Sequence, residues 1–442
     1  MSKQTSFRSF AEAFSYLTSF TNLEQGKTTY SERLYRLDRM RTLLNLYGDP
    51  QASFRSIHVA GTKGKGSTAV FMASAIRAAG VRTGLYTSPH VSNPQERISV
   101  SANPPDDLHL TDIVARIRQT VESLGSGFLP GHPTPTTFEL LTLLAFVYFR
   151  EVGCTHAVVE TGIGGRLDAT NVIHPTASVI TPVDFDHTDV LGSSLQQIAY
   201  EKGGIIKPGV PVFCGRQPPC VMDVLRTLSR TRSAPIAFLE EELEHLQVHL
   251  SADQTLFGLR VSGMPLRRCR LRMLGDFQAD NAGLAYLTLK RIWPWLPHAC
   301  LLHGLESACL PGRMEIVSRE PVVVLDGAHT PLAVRRLVDA LDKVFPERGV
   351  LIFGAVTGKD HQEMARILAP CFATIIISTP GHFKESNPQS VYSVFRRLHS
   401  NAHLQESPSS ALEQALASKL SPVLVTGSFY MVSEIRRLLL RT

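Results

Sequence analysis

Seven cysteines are spread along the 442 residues, an odd number with no C-x-x-C pair among them. That removes the usual spacing of a zinc site and gives no disulfide framework. The N-terminus lacks the continuous apolar core of a signal peptide. The best apolar run, Leu140 to Phe149, falls far short of the ~20 residues a membrane span needs. No internal repeat, low-complexity tract or block of like charge stands out. The net charge of +6 is modest for the length; it favours anionic ligands without demanding nucleic acid. The densest basic stretch, Arg267-Arg268-Cys269-Arg270-Leu271-Arg272, alternates as an exposed strand face does, which is a better reading than an RNA-binding patch. What remains is an ordinary globular composition, 43% hydrophobic and 19% charged. The expectation is a protein of the reducing cytoplasm, with no membrane and no nucleic-acid partner, too long for a single core.

Short β-rich runs alternate with helical ones. Ser31 to Tyr47 has helical spacing, with Leu34, Leu37, Met40 and Leu44 on one face. Ser56 to Val59 reads as a strand feeding a glycine loop, Ser67 to Ala79 as a helix stopped by Gly80, and Leu85-Tyr86 as a strand. Thr137 to Arg150 is a helix, His156 to Glu160 and Ala177 to Ile180 are strands, and Leu195 to Lys202 is a helix. After the proline-interrupted segment Trp293 to Gly312 comes a second block. Its strands are Val322–Leu325, Val350–Phe353, Ala373–Ser378 and Val423–Thr426, with helices at Leu332–Val344 and at the end. The expected fold class is α/β. An N-terminal P-loop-type, doubly wound, mostly parallel sheet (1–298) is followed by a smaller Rossmann-like α/β domain (299–442), with ligands at strand C-terminal ends.

The stretch His58 to Thr68, HVAGTKGKGST, departs from a standard phosphate loop, which has four residues between its first Gly and the Gly-Lys pair. Here Gly61 is too close to Gly64-Lys65, and Gly66 separates Lys65 from Ser67. Strand, glycine loop and helix still aim backbone N–H groups and a helix N-terminus at phosphate. Lys65 then supplies a point charge and Ser67 or Thr68 a hydroxyl for Mg²⁺. The blander reading is a glycine turn capping a helix. A second cluster, Thr161-Gly-Ile-Gly-Gly-Arg166-Leu167, gives only a weak dinucleotide signal, because Leu167 stands at the third glycine and Asp168 to Asn171 is not a helix-opening run. Glu160 ends one strand and His187 follows the next, in Asp184-Phe-Asp186-His187-Thr188-Asp189. A carboxylate and an imidazole at adjacent strand ends can converge on one divalent ion. Taken singly, each has an alternative: Glu160 as a cap or lysine partner, His187 as a hydrogen-bonded loop histidine. Lys202 alone reads as compensation of a helix dipole.

Together these residues resemble the Mur ligase superfamily, most closely its folate branch, dihydrofolate synthase/folylpolyglutamate synthase. The similarity runs over nearly the whole chain through HVAGTKGKGST, LYTSPH (85–90), ETGIGGRLDATN (160–171), DHTDVLG (186–192), EKGGIIKPG (201–209), PGRME (311–315), LDGAHTP (325–331) and TGS (426–428). The resemblance implies an ATP- and folate-binding central domain and a C-terminal glutamate-ligase domain. It implies ATP-dependent ligation of L-glutamate to dihydropteroate or a reduced folate through an acyl phosphate, for the first glutamate, later ones or both. Thr62, Lys63, Gly64, Lys65, Gly66 and Ser67 would cradle ATP, joined by Asn281, Arg313 and Asp326. Ser88, Glu160 and His187 would hold Mg²⁺, with Ser67 at the nucleotide's ion. Lys202 matches a lysine that is carbamylated in such enzymes, and His329 a histidine near the reacting groups. Thr137-Phe138-Glu139 and Leu167-Asp168-Ala169 align with segments that contact the pteroate; Leu37-Asp38-Arg39 matches a family motif without an assigned contact. A monomer is the family's tendency.

Two positions depart from the pattern: Lys63 replaces the usual Asn of the loop, and Thr330 the Asn of His-Asn-Pro. A peptidoglycan-type Mur ligase is disfavoured by TSPH, by the Gly-Ser ending of the loop and by the expected lack of an N-terminal UDP-binding domain. A non-catalytic nucleotide switch would not need Glu160, His187 and Lys202 together.

Overall fold

The computed structural model describes residues 7–22, 36–100, 105–125, 127–132, 134–381 and 384–440. The first sheet has strands β1 (Arg55–Ala60), β2 (Thr83–Tyr86), β3 (Ile98–Ser99), β4 (His156–Glu160), β5 (Ala177–Ile180), β6 (Val212–Cys214) and β7 (Ile236–Phe238). Their order is β3-β2-β4-β1-β5-β6-β7, and all neighbours run parallel except the short β3 against β2. Chain connections diverge around β1 and β4. That switch point opens a crevice at the strand C-termini, where the glycine loop after β1 and Glu160 at the end of β4 both fall.

Both faces of this sheet are covered, so its central strands are buried nearly end to end rather than alternating in burial. The helix Lys65–Ala78 is buried along most of its length. It lies between the sheet and two further helices, Asp276–Ile292 and His298–Ser307, whose Leu284, Leu287, Leu301 and Leu305 share one core with Ile57, Phe71 and Ile76. Burying a side chain such as Phe71 stabilises by roughly 2–3 kcal/mol. Gly304 lets the helix His298–Ser307 approach the backbone at Ala75, which a Cβ there would strike. The division expected at 298/299 therefore cuts off a helix that packs in the first core. The last elements of that core end at Ala308, and the next sheet begins at Glu315.

Three antiparallel strands, β8 (Leu243–Leu250), β9 (Thr255–Val261) and β10 (Arg267–Leu271), form a small separate sheet in the order β10-β9-β8. The basic stretch 267–271 does alternate, with Arg268 and Arg270 exposed and Cys269 and Leu271 buried. The third sheet contains β11 (Glu315–Arg319), β12 (Val322–Leu325), β13 (Val350–Phe353), β14 (Thr374–Ile377), β15 (Ala402–Leu404) and β16 (Val423–Thr426). The order is β11-β12-β16-β13-β14-β15, parallel apart from β11. Cores fill both its faces, Val324, Leu351 and Phe353 on one and Val323, Leu325 and Ile352 on the other. The helix expected from Ser31 runs Leu37–Asn45, and residues 31–35, with Leu34, lie outside the described ones. Among the described residues, no helix is long and apolar enough to cross a membrane.

Candidate active site

A cavity of ≈310 Å³ lies between the first and third sheets. Its wall brings together Thr62 to Ser67, Ser88, Glu160, Asp186, His187 and Asn281 with Arg313, Asp326, His329, Lys359 and Phe429. The glycine loop is shaped by what it must avoid. Gly64 has φ +84° and caps the helix Lys65–Ala78, and a Cβ on it would collide with the amide of Asn281. The N–H groups of Thr62 and Lys63 both donate to the Pro182 carbonyl, at 3.0 and 3.1 Å. Thr62 Oγ1 donates to Asp184 O and accepts from Asp184 N, each at 3.0 Å. Those bonds fix the loop's first half. The amides of Lys65, Gly66 and Ser67 belong to the first helical turn and have no intrahelical acceptor, so this end of the helix is an anion site.

Lys65 Nζ stands 3.9 Å from Glu160 Oε1, and Ser88 N donates to Glu160 Oε2 at 3.1 Å. A Cβ on Gly66 would stand 3.4 Å from that same Oε2, so the helix start lies directly alongside the carboxylate. Burial pushes the Glu160 carboxyl above its ordinary range, against the pull of Lys65. Oxygen donors from Glu160, Ser67 and Ser88 suit a hard ion such as Mg²⁺. Among the described residues no group of three or more His, Cys, Asp or Glu could hold a metal. His187 reaches the same cavity from a left-handed backbone (φ +49°) at the start of a one-turn helix.

Lys202 is buried behind the loop, with its Nζ donating to Gly61 O at 2.7 Å. Burial, reinforced by the charge of Lys65, depresses this amine well below the usual lysine value. That favours the neutral form, the one able to react with CO₂. From the C-terminal side, the Arg313 guanidinium lies 4.1 Å from the Phe429 ring centroid. Asp326 accepts from Met314 N and Ala328 N at 2.9 and 2.8 Å, which holds the loop after β12. His329 Nδ1 donates to Gly327 O at 2.8 Å, leaving Nε2 directed toward the cavity and 3.6 Å from Asp186.

Several expected substrate residues are placed elsewhere. Thr137 Oγ1 donates to Leu17 O and Phe20 O. Glu139 caps its own helix at Thr136 and receives Arg39 Nε at 2.8 and 2.9 Å in a buried pair, which gives Leu37-Asp38-Arg39 a partner. Phe138 packs on the Tyr86 ring and behind Gly162 of the cavity wall, where a Cβ would stand 2.8 Å from its ring. Leu167, Asp168 and Ala169 are not on the cavity wall. Asp168 Oδ2 accepts from Gly162 N and Ile163 N, and Oδ1 from Thr170 N and Oγ1. Contrary to the expectation that 168–171 opens no helix, Asp168 caps a single 3₁₀ turn, Ala169–Val172. Thr330, the other departure, is buried, and its Oγ1 has no hydrogen-bond partner.

Asp186 and Lys359 were not singled out from the sequence. Lys63 Nζ lies 3.3 Å from Asp186 Oδ2 and Lys359 Nζ 3.1 Å from Oδ1. Burial alone would raise this carboxyl, but neighbouring His329 and the Lys63 charge hold it well below the usual carboxylate range. The available signal was positional: Lys359 lies in the loop at the C-terminal end of β13, as Glu160 closes the C-terminal end of β4.

Residues 59–289 match the Mur ligase middle domain, and residues 312–429 the Mur ligase glutamate ligase domain. Fold and site thus define an ATP-dependent ligase. The chain is 33% identical over 413 residues to a dihydrofolate synthase/folylpolyglutamate synthase of Bacillus subtilis, covering 91% of this chain and 94% of that one. It is 33% identical over 442 residues to a folylpolyglutamate synthase of Lacticaseibacillus casei, at 98% and 99% coverage. A folylpolyglutamate synthase of Mycobacterium tuberculosis complexed with ADP superposes with a TM-score of 0.88 at 28% identity, over 97% of this chain and 99% of that one. An FPGS–AMPPCP–folate complex superposes at 0.81 with 31% identity, over 98% and 99%. The chain belongs to the dihydrofolate synthase/folylpolyglutamate synthase family of Mur ligases.

Proposed function

We propose that this chain joins L-glutamate to the carboxylate of dihydropteroate or a reduced folate at the expense of ATP. The observation that carries the reading is one cavity in which a helix N-terminus, Lys65 and Glu160 face Arg313, Asp326 and His329 from the other sheet. Complexes of family members with ADP, AMPPCP and folate support it. The free amides of Lys65 to Ser67 would take the phosphates, with Lys65 leaving Glu160 for the transferring group. Thr62, Lys63 and Gly64 would shape the cradle, and Asn281, Arg313 and Asp326 would line the nucleotide's side. Ser67, Ser88, Glu160 and His187 would hold Mg²⁺, which when bound offsets charge on the transferring phosphoryl group. Lys202, kept neutral by burial, would bear a carbamate.

In the first step the substrate carboxylate attacks the γ-phosphorus and ADP departs, leaving an acyl phosphate. In the second the glutamate amine attacks the acyl carbon, phosphate leaves, and His329 Nε2 would take the amine's proton. Water would hydrolyse the intermediate, so a site walled by both sheets protects it. Phe138, beside Gly162, is the wall we assign to the pteroate ring, and the side chains of Thr137, Glu139 and Asp168 support that wall without touching it. We place the unit division at 308–314, where the first core ends. We further propose that the chain acts as a cytoplasmic monomer.

The test is product formation. With Mg²⁺ and ATP, phosphate release should require both the pteroate or folate substrate and L-glutamate, and mass spectrometry should find the new amide. ATP turnover indifferent to glutamate would defeat the reading.

A further inference from the structure

We propose that Arg436, Ser92 and Val91 form a strut that ties the loop carrying Ser88 to the C-terminal unit. They are positioning residues for the site, and their effect on turnover rests on the ligase reading above. The loop starts in the cavity, where Ser88 N donates to Glu160 Oε2 at 3.1 Å. It ends in a different core. Val91 is 6% exposed and is clustered with Val323, Val425, Val432 and Ile435. Among the described residues, every other buried member of that core lies between Val323 and Ile435. One turn beyond Val432 on the final helix, Phe429–Leu440, Arg436 Nη1 donates to Ser92 Oγ at 3.2 Å. The same guanidinium holds Glu315, through Nε at 3.1 and 3.0 Å and through Nη2 at 3.0 Å. The two side chains of that pair are 18% and 17% exposed, so this charge-assisted contact is weakly screened.

Both ends of the strut are stiff. Glu96 accepts from the N–H groups of Val91, Ser92 and Asn93 at 2.6 to 3.2 Å. Thr87 N donates to Arg97 O at 2.9 Å, so residues 87–97 move as one piece. At the other end Glu315 Oε2 accepts from Gly312 N at 2.9 Å. Gly312 lies between Val91 and Val432, which a Cβ there would meet at 3.4 and 3.1 Å. Its neighbour Arg313 lines the cavity. A displacement of the C-terminal unit therefore reaches Ser88 and Arg313 together, through one guanidinium. Arg436, Ser92 and Val91 are not on the cavity wall, so their part is to hold Ser88 where it meets Glu160. That couples the seating of the second unit to the geometry of the first.

The experiment compares the full chain with Ser92→Ala, Ser92→Thr and Arg436→Gln by amide hydrogen exchange and by steady-state kinetics. Exchange at residues 88–97 should quicken in Ser92→Ala and Arg436→Gln, with β13 and β14 unchanged. In Arg436→Gln kcat should fall about 10-fold, while the KM for folate moves less than about twofold. Ser92→Ala, which loses one hydrogen bond, should lose about 3-fold in kcat. Ser92→Thr keeps the hydroxyl and should match the unsubstituted chain in both readouts. The double variant should lose no more than Arg436→Gln alone, because both changes cut one link. Unchanged exchange at 88–97, or unchanged kcat, in Arg436→Gln would overturn the proposal. Faster exchange spread evenly through β12, β13 and β16 would overturn it too, as a loss of C-terminal packing. If Arg436→Gln does not fold, Ser92→Ala and Ser92→Thr carry the same comparison. If the unsubstituted chain forms no amide, it is the ligase reading that fails, and exchange at 88–97 alone decides the strut.

Discussion

Two glycine-rich loops leave adjacent strands of one sheet, Gly61 to Gly66 after β1 and Thr161 to Gly165 after β4, and they do opposite things with their N–H groups. The first commits two amides to Pro182 and then starts a 14-residue helix whose next amides remain open. The second turns its amides inward onto Asp168, which also collects Thr170, and continues into a single 3₁₀ turn. Their buried carboxylates differ in the same way. Glu160 accepts one backbone N–H and faces a lysine across 3.9 Å, whereas Asp168 is saturated. Glycine content alone does not make a ligand loop; what matters is where the amides are spent.

The sharpest way to break this contrast is at Lys65. Lys65→Met should lower turnover about 10²- to 10³-fold by removing preorganised charge from the transferring phosphoryl group, with a smaller change in folate KM, read by single-turnover and steady-state rates. Full turnover in Lys65→Met would return the first loop to the status of a helix cap. The second loop should answer differently. Asp168→Ala strands three backbone amides and the Thr170 hydroxyl, so it should cost about 3 kcal/mol of stability by urea unfolding. If Asp168 instead contacted substrate, the variant would keep its stability and lose folate affinity. Gly64→Ala tests the geometry of the first loop. A side chain at φ +84° that also displaces Asn281 should cost about 1–2 kcal/mol and raise the ATP KM, measured by melting and by kinetics.

How much of this was legible in the sequence depends on whether the signal was local. Strands β1, β4, β5, β12, β13 and β16 were short apolar runs bounded by turns, and they lie where those runs were. The helix His298–Ser307 falls inside the proline-interrupted segment Trp293 to Gly312, where no helix is expected; its place in the first core depends on Gly304 meeting Ala75, which no local pattern reports. β8 and β9 were missed: burial alternates along Thr255–Val261, but Leu256 beside Phe257 blurs that period in the sequence. In the site, the glycine loop, Glu160 and His187 carried their own context. Glu139 announced its capping box, but its partner Arg39 is 100 residues away. The Lys63–Asp186–Lys359 bracket was illegible for the same reason: ion pairs between strand-end loops are set by topology, not by spacing.

The smallest effect concerns what ties the two loops together. His58, on β1, donates from Nε2 to Thr170 Oγ1 at 2.8 Å, and that hydroxyl donates in turn to Asp168. This fixes the tautomer: Nδ1 carries no proton, and it has no partner. Burial, with the charge of Lys207, lowers the imidazole to about 3. The native ring therefore stays neutral while the unfolded chain takes up a proton below its ordinary value near 6.5. Stability from this group is complete above that value and is lost progressively as pH falls toward 3, at most about 1.4 kcal/mol per pH unit. Between pH 7 and 6 the loss should be about 0.7 kcal/mol, small beside the other effects but with a defined sign. His187 and His329 are depressed in the same direction, so urea unfolding across that range should show the slope reduced by that amount in His58→Gln, not abolished. A slope unchanged by the substitution would mean that the other histidines carry it, and that the bridge from β1 to the second loop is not an acid-sensitive link between the two.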